Sequence, residues 1–312
     1  MNGLRRKLPS TGALFVFEAA ARLENFTRAA DELNVTQPAV SRTLAALEGY
    51  LETQLFVREK PGARLTADGK LLKAAVSSAF LEIEQALDAI EERKTGKVQI
   101  TLSVSTAFTT HWLMPRIARF QAAFPEVDLR FQLIPGPVSG PAETVDLAMR
   151  YFPKGEGTGR FVMHEAYVPV CSDGYLQTPH AKGETLIWLE GDDSDRMAGL
   201  EGRTGPVPET QLAFSDYSVV VQAALMGQGI AAGWLNVVAH WMREGRLVPA
   251  ADRISVPGRE CRLLMRPRAV REDLVAGVAD WLVAELRQDL AAIDAAHPLL
   301  GIAALLETGS AS

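Results

Sequence analysis

Between Ala67 and Arg93 the chain has no proline, and Leu72, Val76, Ala79, Ile83, Ala86 and Ile90 follow one another at alternating steps of four and three. That spacing predicts one long helix with a heptad seam, widened by Phe80 and Leu87. Such a helix would be roughly 35 to 40 Å long at about 1.5 Å per residue, and its stripe needs a partner. Packing onto the chain's own C-terminal part would satisfy it; pairing with a second copy, as a dimer at least, is the reading preferred here. The helix also divides the text. Before it the sequence reads helical, and beyond Thr95-Gly96 short β-rich runs alternate with helical ones.

The chain has 312 residues, 47% hydrophobic and 22% charged, so more than one folding unit is expected. Its formal charge of −6 argues against a protein that coats nucleic acid or membrane indiscriminately. The charge is uneven, however: residues 1 to 75 hold 11 Lys+Arg and 8 Asp+Glu, and the remainder carries −9. A local DNA-binding module therefore fits the N-terminal quarter. Two cysteines far apart, Cys171 and Cys261, suggest neither a disulfide framework nor a metal site. No apolar run approaches the length of a membrane span, and no export signal opens the chain, so a cytoplasmic protein without membrane partner, metal or cofactor is expected.

Ahead of the long helix, a first helix runs from about Thr11 to Leu23, with Leu14, Phe17 and Ala21 at helical spacing. Thr27 can cap a second, which buries Ala29, Ala30 and Leu33 and is interrupted at Asn34-Val35. Thr36 can cap a third, with Pro38 in its first turn. There Val40, Leu44, Leu47 and Leu51 form one stripe and leave Gln37, Ser41, Arg42 and Ala45 outward. Two short helices joined by a tight turn can hold the second in the DNA major groove, where Gln and Arg bond base edges and Ser41 and Thr36 suit phosphates. An ordinary helical hairpin with a polar outer face would show the same stripe.

The residues that follow favour the first reading. From Phe56 to Thr66 two short strands flank a Pro61-Gly62 turn and carry Arg58, Lys60 and Arg64, a basic wing able to lie along the DNA backbone or minor groove. Taken together, Phe26-Thr27-Arg28-Ala29-Ala30, Leu33 through Arg42, Leu47-Glu48, Leu55-Phe56-Val57-Arg58 and Leu65-Thr66-Ala67-Asp68-Gly69 resemble the winged helix-turn-helix of LysR-type transcriptional regulators. The resemblance implies DNA contacts from Thr27, Arg28, Thr36, Gln37, Pro38, Ser41 and Arg42 on the helices and Arg58, Lys60 and Arg64 on the wing, with a double-stranded operator as partner. Glu52-Thr53 departs from the Leu-Gly usual after the recognition helix in that family.

In the C-terminal part, Val98, Ile100, Leu102 and Val104 alternate as a strand, a helix follows with Leu113, Ile117, Phe120 and Phe124 inward, and Leu129, Phe131 and Leu133 alternate again. A β-helix-β unit predicts a parallel, doubly wound sheet. A strand from about Val145 to Tyr151 is expected to end at Arg150, with a loop from Phe152 to Gly159. A second β-rich set comprises Tyr167 to Ser172, Leu186 to Leu189, Gln211 to Phe214, a helix from about Asp216 to Met226, and Ile230 to Leu235. Leu263 to Met265 and a helix from about Arg271 to Leu290 return to the first set, and two lobes with two crossings imply a cleft. The hydroxyl-rich Ser105-Thr106 loop opens onto a helix N-terminus, a place suited to anions.

Trp112-Leu113-Met114-Pro115-Arg116, Asp146 through Tyr151, Pro169-Val170-Cys171-Ser172, Phe214 through Ser218 and Gly227-Gln228-Gly229-Ile230-Ala231 are similar to the effector domain of the same family, most of all in the branch that includes the glycine-cleavage activator. The resemblance implies a multidomain protein: an all-α winged helix-turn-helix over 8–66, a linker helix over 67–95 and, over 97–312, an α/β domain with the two-lobed fold of periplasmic solute-binding proteins. Lobe I is expected at about 97–165 and 266–290, lobe II at about 166–265. By position, the effector site carries over to Ser105, Thr106, Phe108, Gly136, Arg150, Phe214 and Ser215. A hydroxyl pair and one arginine suit a small carboxylate or amino acid; equally, Arg150 could pair with a structural acid and Thr106 merely cap its helix. RNA polymerase is a further partner if the protein activates. The Ala/Leu tail after Ala291 is not explained by the resemblance.

An enzyme is not expected, because no motif joins Cys171, His111 and the acids, and Cys171 reads as a small buried hydrophobe. The acidic run Gly191 to Asp195 lacks a calcium-loop pattern. Trp188, Trp234 and Trp241 read as core or interface residues. The rival from another class is a solute-binding or enzyme-like α/β domain whose N-terminal helices serve only for assembly.

Overall fold

The computed structural model describes residues 8–59, 62–134, 145–177, 183–191, 210–266 and 271–307, with backbone alone at 58, 59, 85 and 88. The sequence expectations at Lys60, Pro61 and Gly136, and the acidic run from Asp192 to Asp195, fall outside the described residues. The chain divides into two units, Met1–Glu91 and Glu92–Ser312.

In the first unit, α1 (Gly12–Leu23) buries Ala13, Phe17, Ala20 and Ala21. The second helix, α2 (Phe26–Glu32), is capped by Asn25 and not by Thr27: the Asn25 side chain accepts from the backbone N–H groups of Thr27 and Arg28 at 2.9 and 3.1 Å. Asn25 wins because it holds the extended backbone of a cap, whereas Thr27 already lies inside the helix. Asn34 makes the turn at φ +52°, a conformation that its short amide side chain tolerates. Recognition-helix candidate α3 (Gln37–Leu51) follows, with Thr36 at its cap in extended backbone but with no side-chain cap bond. Val40, Leu44 and Leu47 are buried as the stripe requires, and Leu51 is half-buried. The departure at Glu52 has a structural consequence: it closes α3 at φ +53°, where glycine would be unstrained.

Strands β1 (Phe56–Glu59) and β2 (Gly62–Leu65) pair antiparallel, Phe56 opposite Leu65, and form the wing. The Glu48 carboxylate accepts from the N–H groups of Leu55 and Phe56 at 2.7 and 3.1 Å, so the helix that faces outward also fixes the start of the wing. Helix α4 (Ala67–Thr95) is capped by the Thr66 hydroxyl, which accepts from Gly69 N–H at 3.0 Å. At Gly69 a Cβ would stand 2.2 Å from the Leu55 carbonyl oxygen, so glycine alone allows this approach of helix to wing.

The heptad seam splits in two. Val76 is buried, and Leu72 and Phe80 pack on the core of the winged domain, Phe80 stacking on Phe15 with ring centroids 4.6 Å apart. Ile83, Leu87 and Ile90 remain 57%, 60% and 48% exposed. The first turns of the seam thus complete a core in their own unit, and its later turns are the exposed ones.

The second unit contains two five-stranded sheets, each at the heart of one lobe. Lobe I is built on β3 (Val98–Ser105), β4 (Val127–Ile134), β5 (Leu147–Pro153), β6 (Arg160–His164) and, late in the chain, β12 (Arg259–Met265), in the order β4-β3-β5-β12-β6. Between β3 and β4 lie α5 (Thr106–Phe108), a π-helical turn (Thr109–Leu113), a 3₁₀ turn (Met114–Arg116) and α6 (Ile117–Ala123). Lobe II is built on β7 (Tyr167–Ser172), β8 (Thr185–Leu189), β9 (Thr210–Phe214), β10 (Ile230–Trp234) and β11 (Leu247–Pro249), in the order β11-β7-β10-β8-β9. Helix α7 (Tyr217–Leu225) joins β9 to β10, α8 (Leu235–Arg243) follows β10, and α9 (Glu272–Ala296) follows β12.

Several expectations are corrected here. The sheets are mixed: β4, β3 and β5 are parallel, as are β9, β8 and β10, but β12 runs antiparallel to β5 and β6, and β7 antiparallel to β10 and β11. Strands that enter at a crossing without an intervening helix are free of the parallel constraint. The chain returns to lobe I at Arg259, earlier than the expected 266, and β5 continues to Pro153, so Arg150 sits within the strand and not at its end. Leu133 is exposed because β4 is an edge strand. The Ala/Leu tail also finds a place. Helix α9 runs on to Ala296, and two 3₁₀ turns, Pro298–Leu300 and Ile302–Leu306, bury Leu300, Ile302 and Leu305 against α9 and β6.

Candidate nucleic-acid interface and effector cleft

On the first unit the expected DNA contacts share one property: their neighbours are buried and they are not. Ala29 and Ala30 are at 0% and 2% exposure on α2, while Thr27 and Arg28 beside them are exposed. On α3, Thr36, Gln37, Pro38 and Arg42 are exposed and Ser41 is half-buried, opposite the Val40-Leu44-Leu47 stripe. Gln37 and Ser41, one turn apart, are joined by a bond from the Gln37 amide to the Ser41 hydroxyl of 2.9 Å. This pair presents an amide oxygen and a hydroxyl in fixed relation, with Arg42 alongside, a donor and acceptor set suited to a base edge. On the wing, Arg64 is exposed while Ala63 and Leu65 face the core. Arg58 has its backbone in β1, opposite Ala63.

In the second unit three of the residues expected to meet an effector, Ser105, Thr106 and Phe108, follow directly on β3. Ser105 caps α5, its hydroxyl accepting from Phe108 N–H at 3.1 Å, while its carbonyl accepts from the Thr109 hydroxyl at 3.1 Å. Ser105, and not Thr106, is thus the cap. Thr106 is half-exposed, and among the described residues its hydroxyl has no hydrogen-bond partner. Phe108 turns inward and stacks on Trp112, with ring centroids 4.9 Å apart. Arg150 is 2% exposed, its guanidinium donating to the Ser103 carbonyl at 3.2 Å, the Ser103 hydroxyl at 2.9 Å and the Met149 carbonyl at 2.9 Å. Ser103 lies two residues before Ser105 on β3. Burial lowers the Arg150 pKa from its ordinary value. From lobe II, Phe214 is half-buried and Ser215 exposed where β9 gives way to α7, and α7 packs against α5. Asp216 caps α7 by accepting from Ser218 N–H at 2.7 Å.

Residues 12–70 match the family described as bacterial regulatory helix-turn-helix protein, lysR family, and residues 93–287 match the LysR substrate binding domain. The chain belongs to the LysR family of transcriptional regulators. It is 30% identical over 299 residues to the glycine cleavage system transcriptional activator of Escherichia coli (strain K12), covering 90% of this chain and 95% of that protein. To the HTH-type transcriptional activator AmpR of Providencia stuartii it is 33% identical over 294 residues, covering 91% and 98%. Among solved structures, ArgP from Mycobacterium tuberculosis aligns with a TM-score of 0.50 at 20% identity, covering 89% of this chain and 97% of that one, a likeness of fold. The regulator therefore joins a DNA-binding winged helix-turn-helix to an effector-binding domain.

The groups that could have suggested an enzyme are dispersed. Cys171 and Cys261 are buried in different strands and form no disulfide, and burial pushes the Cys261 thiol up to about 12. His111 does stand 3.1 Å from the Ser218 hydroxyl, but its Nδ1 accepts from the Trp241 indole N–H at 3.2 Å. The proton then sits on Nε2, which faces Ser218 as a donor and cannot act as its base. Among the described residues no group of three or more His, Cys, Asp or Glu side chains could hold a metal ion, and no helix is long and apolar enough to cross a membrane.

Missed by sequence reasoning was a buried ionic cluster that joins α8 and α9 to the turns after β3. Asp289 of α9, at 0% exposure, accepts from the Trp112 indole at 2.8 Å, pairs with Arg116, and pairs with Arg243 of α8 at 2.7 Å. Glu285, one turn earlier, holds Arg119 at 2.7 Å. A signal was present: Trp112 and Arg116 lie one helical turn apart, as do Glu285 and Asp289.

Proposed function

We propose that this regulator reads a two-fold operator through Gln37, Ser41 and Arg42 of α3, with Thr27, Arg28, Thr36, Pro38 and the wing arginines on the backbone, and that a small carboxylate or amino acid held between the lobes sets its response. The DNA part is carried by the outward Gln37-Ser41 pair with Arg42 beside it. Arg42→Ala is expected to weaken specific binding by about 1 to 3 kcal/mol and to relax base preference at one operator position, read by competition gel shift at fixed salt. Unchanged affinity and preference in a folded variant would remove Arg42 from the base contacts.

The effector part is carried by Arg150, whose guanidinium donates to Ser103, two residues before the Ser105-Thr106 loop. A carboxylate entering there meets a guanidinium and a hydroxyl in a water-poor setting, where a charge-assisted bond is strong. Phe214 and Ser215 close the site from lobe II. Affinity alone does not regulate, because a ligand shifts an equilibrium only by its differential affinity for two states. Calorimetry on a panel of carboxylates and amino acids, followed by DNA footprints with the binder, tests both parts. Arg150→Ala should abolish ligand binding and the footprint change while leaving operator binding by the free protein nearly intact, with Arg150→Lys retaining part of the affinity. Wild-type ligand affinity in Arg150→Ala would take this residue out of the site. The same domain makes the protein a regulator without catalysis of its own, and no turnover of the bound metabolite is expected. Assembly as a dimer or tetramer is addressed below through α4.

A further inference from the structure

The five-stranded sheet of lobe I has two edges, β4 and β6, and they are finished in different ways. Along β4 the exposed positions are Asp128, Arg130 and Gln132, polar side chains that discourage a further strand, together with Leu133. The middle of β6 is Phe161-Val162-Met163, with nothing polar to do the same. An open edge of that composition is a template for strand pairing between chains. Yet β6 is not open: from Phe161 to His164 no residue is more than 9% exposed.

Its cover comes from the end of the chain. After α9 the two 3₁₀ turns bury Leu300, Ile302 and Leu305, and the second turn packs on β6. Helix α9 lies against one face of the sheet, for its Asp280 pairs with Arg160, which stands opposite Leu263 of β12. The last described residue, Glu307, is held from the other face: its carbonyl accepts from Nε2 of His164 at 3.1 Å, and His164 stands opposite Glu260. Leu263 and Glu260 are three apart on a strand that is regular along β5, so they face opposite ways. The segment from His297 to Glu307 therefore passes round the outer edge of β6. Asp294 of α9 steadies its middle by accepting from Ala303 N–H at 3.2 Å. Among the described residues no backbone hydrogen bond joins this segment to β6, so apolar burial and the His164 bond hold it in place.

We propose that residues 297–307 are an edge strap, whose role is to keep β6 from pairing with β6 of a second copy. The partner is a second copy because an uncovered edge would be the same in every chain. Two antiparallel Phe161-Val162-Met163 segments meet about a two-fold axis, each supplying the other's ladder groups. The strap lies beyond residue 287, where the match to the LysR substrate binding domain ends, so this finish is added outside the shared domain. It involves neither Arg150 nor the Ser105-Thr106 loop and stands apart from the effector reading. Pairing through Ile83, Leu87 and Ile90 of α4 belongs to the other unit, so the two kinds of association are separable.

A chain ending at Ala296 removes the strap and leaves α9 whole. In sedimentation velocity it should give species larger than the wild-type assembly, growing with protein concentration. Hydrogen exchange read by mass spectrometry should show the β6 amides exchanging faster than in wild type when the shortened chain is dilute, and slowing as the larger species form. A synthetic peptide of residues 297–307 in excess should return sedimentation to the wild-type pattern, and a peptide of scrambled order should not. A shortened chain that keeps its circular dichroism and sediments as wild type at every concentration overturns the strap. So does association during which the β6 amides go on exchanging freely, or which both peptides affect alike. Should the shortened chain fail to fold, Leu305→Asp in the full chain, which releases the last anchor and leaves Leu300 and Ile302 in place, is put through the same measurements and judged by the same outcomes.

Discussion

Replacing Asp289 with Ala should cost the effector domain about 3 to 5 kcal/mol, the loss expected when one partner of a buried ion pair is removed. Asp289 is fully buried and serves three donors at once: the Trp112 indole, Arg116 and Arg243. Removing it leaves the Arg116 guanidinium, itself 2% exposed, buried with its charge less compensated and the indole N–H without this acceptor. Burial already works against the Arg116 charge, and the field of Asp289 is the largest influence opposing that effect. Because the chain holds two units, the measurement is the effector-domain transition in urea, followed by tryptophan fluorescence, and not a single global midpoint. The double variant Arg116→Met, Asp289→Leu should recover a large part of the loss, since an apolar pair of similar volume removes the stranded charge. A midpoint that does not move in Asp289→Ala would mean that water reaches Arg116 and that the cluster is not dry. Recovery absent from the double variant would instead locate the loss in the Trp112 and Arg243 bonds.

The contrast between the two halves of the molecule explains what could be read from the letters. In the winged domain, function and fold use the same short-range pattern: Val40, Leu44 and Leu47 must turn inward for α3 to pack, and Gln37 and Arg42 are outward as a consequence. Local periodicity therefore sufficed. Where it failed, at the cap of α2, the competing residue was two positions away and the choice turned on a backbone angle that side-chain type does not dictate. The long helix failed differently. Its heptad steps mark every apolar position but do not say which partner each meets, and the first turns, through Val76 and Phe80, are taken by their own domain.

The effector domain is held by contacts far apart in sequence, and there the reading thinned. Strand and helix positions from Val98 to Trp234 were largely legible from alternation, but strand direction was not, since it depends on how the chain crosses between lobes. Helix α8 escaped notice although Leu235, Val238, Ala239 and Met242 recur at helical spacing, because the strand before it was taken to run on to Leu235 and nothing was read after it. The tail after Ala291 was obscure for a related reason: its leucines and alanines become meaningful only against β6. Arg150 was singled out by its position in a family pattern, but its bonds to Ser103 come from the neighbouring strand and were not legible. The bond from His111 to Ser218 was not legible either, as it spans 107 residues.

Ile83→Asp should dissociate the regulator. Ile83, Leu87 and Ile90 stand exposed on the later turns of α4, an apolar face that continues the seam after Val76 and Phe80 have turned to their own domain. Burying a side chain of this size is worth about 1.5 to 3 kcal/mol, so two copies of the stripe facing each other supply a substantial association energy. An aspartate at the centre of that seam meets its own copy across the pair, or apolar neighbours, and in either case lacks a compensating charge. Ser78→Asp, exposed and away from the seam, changes the net charge equally and serves as the control. Sedimentation should show the Ile83→Asp chain as a smaller species and the control unchanged. Because a dimer presents two recognition helices to two half-sites, the dissociated chain should also bind operator far more weakly, and the loss should shrink on a single half-site, where only one helix is engaged. Circular dichroism separates this outcome from unfolding, since the winged core relies on Val76 and Phe80 and not on Ile83. An unchanged sedimentation coefficient would refute pairing through this face, while a smaller species that keeps full operator affinity would refute the dependence of DNA binding on it.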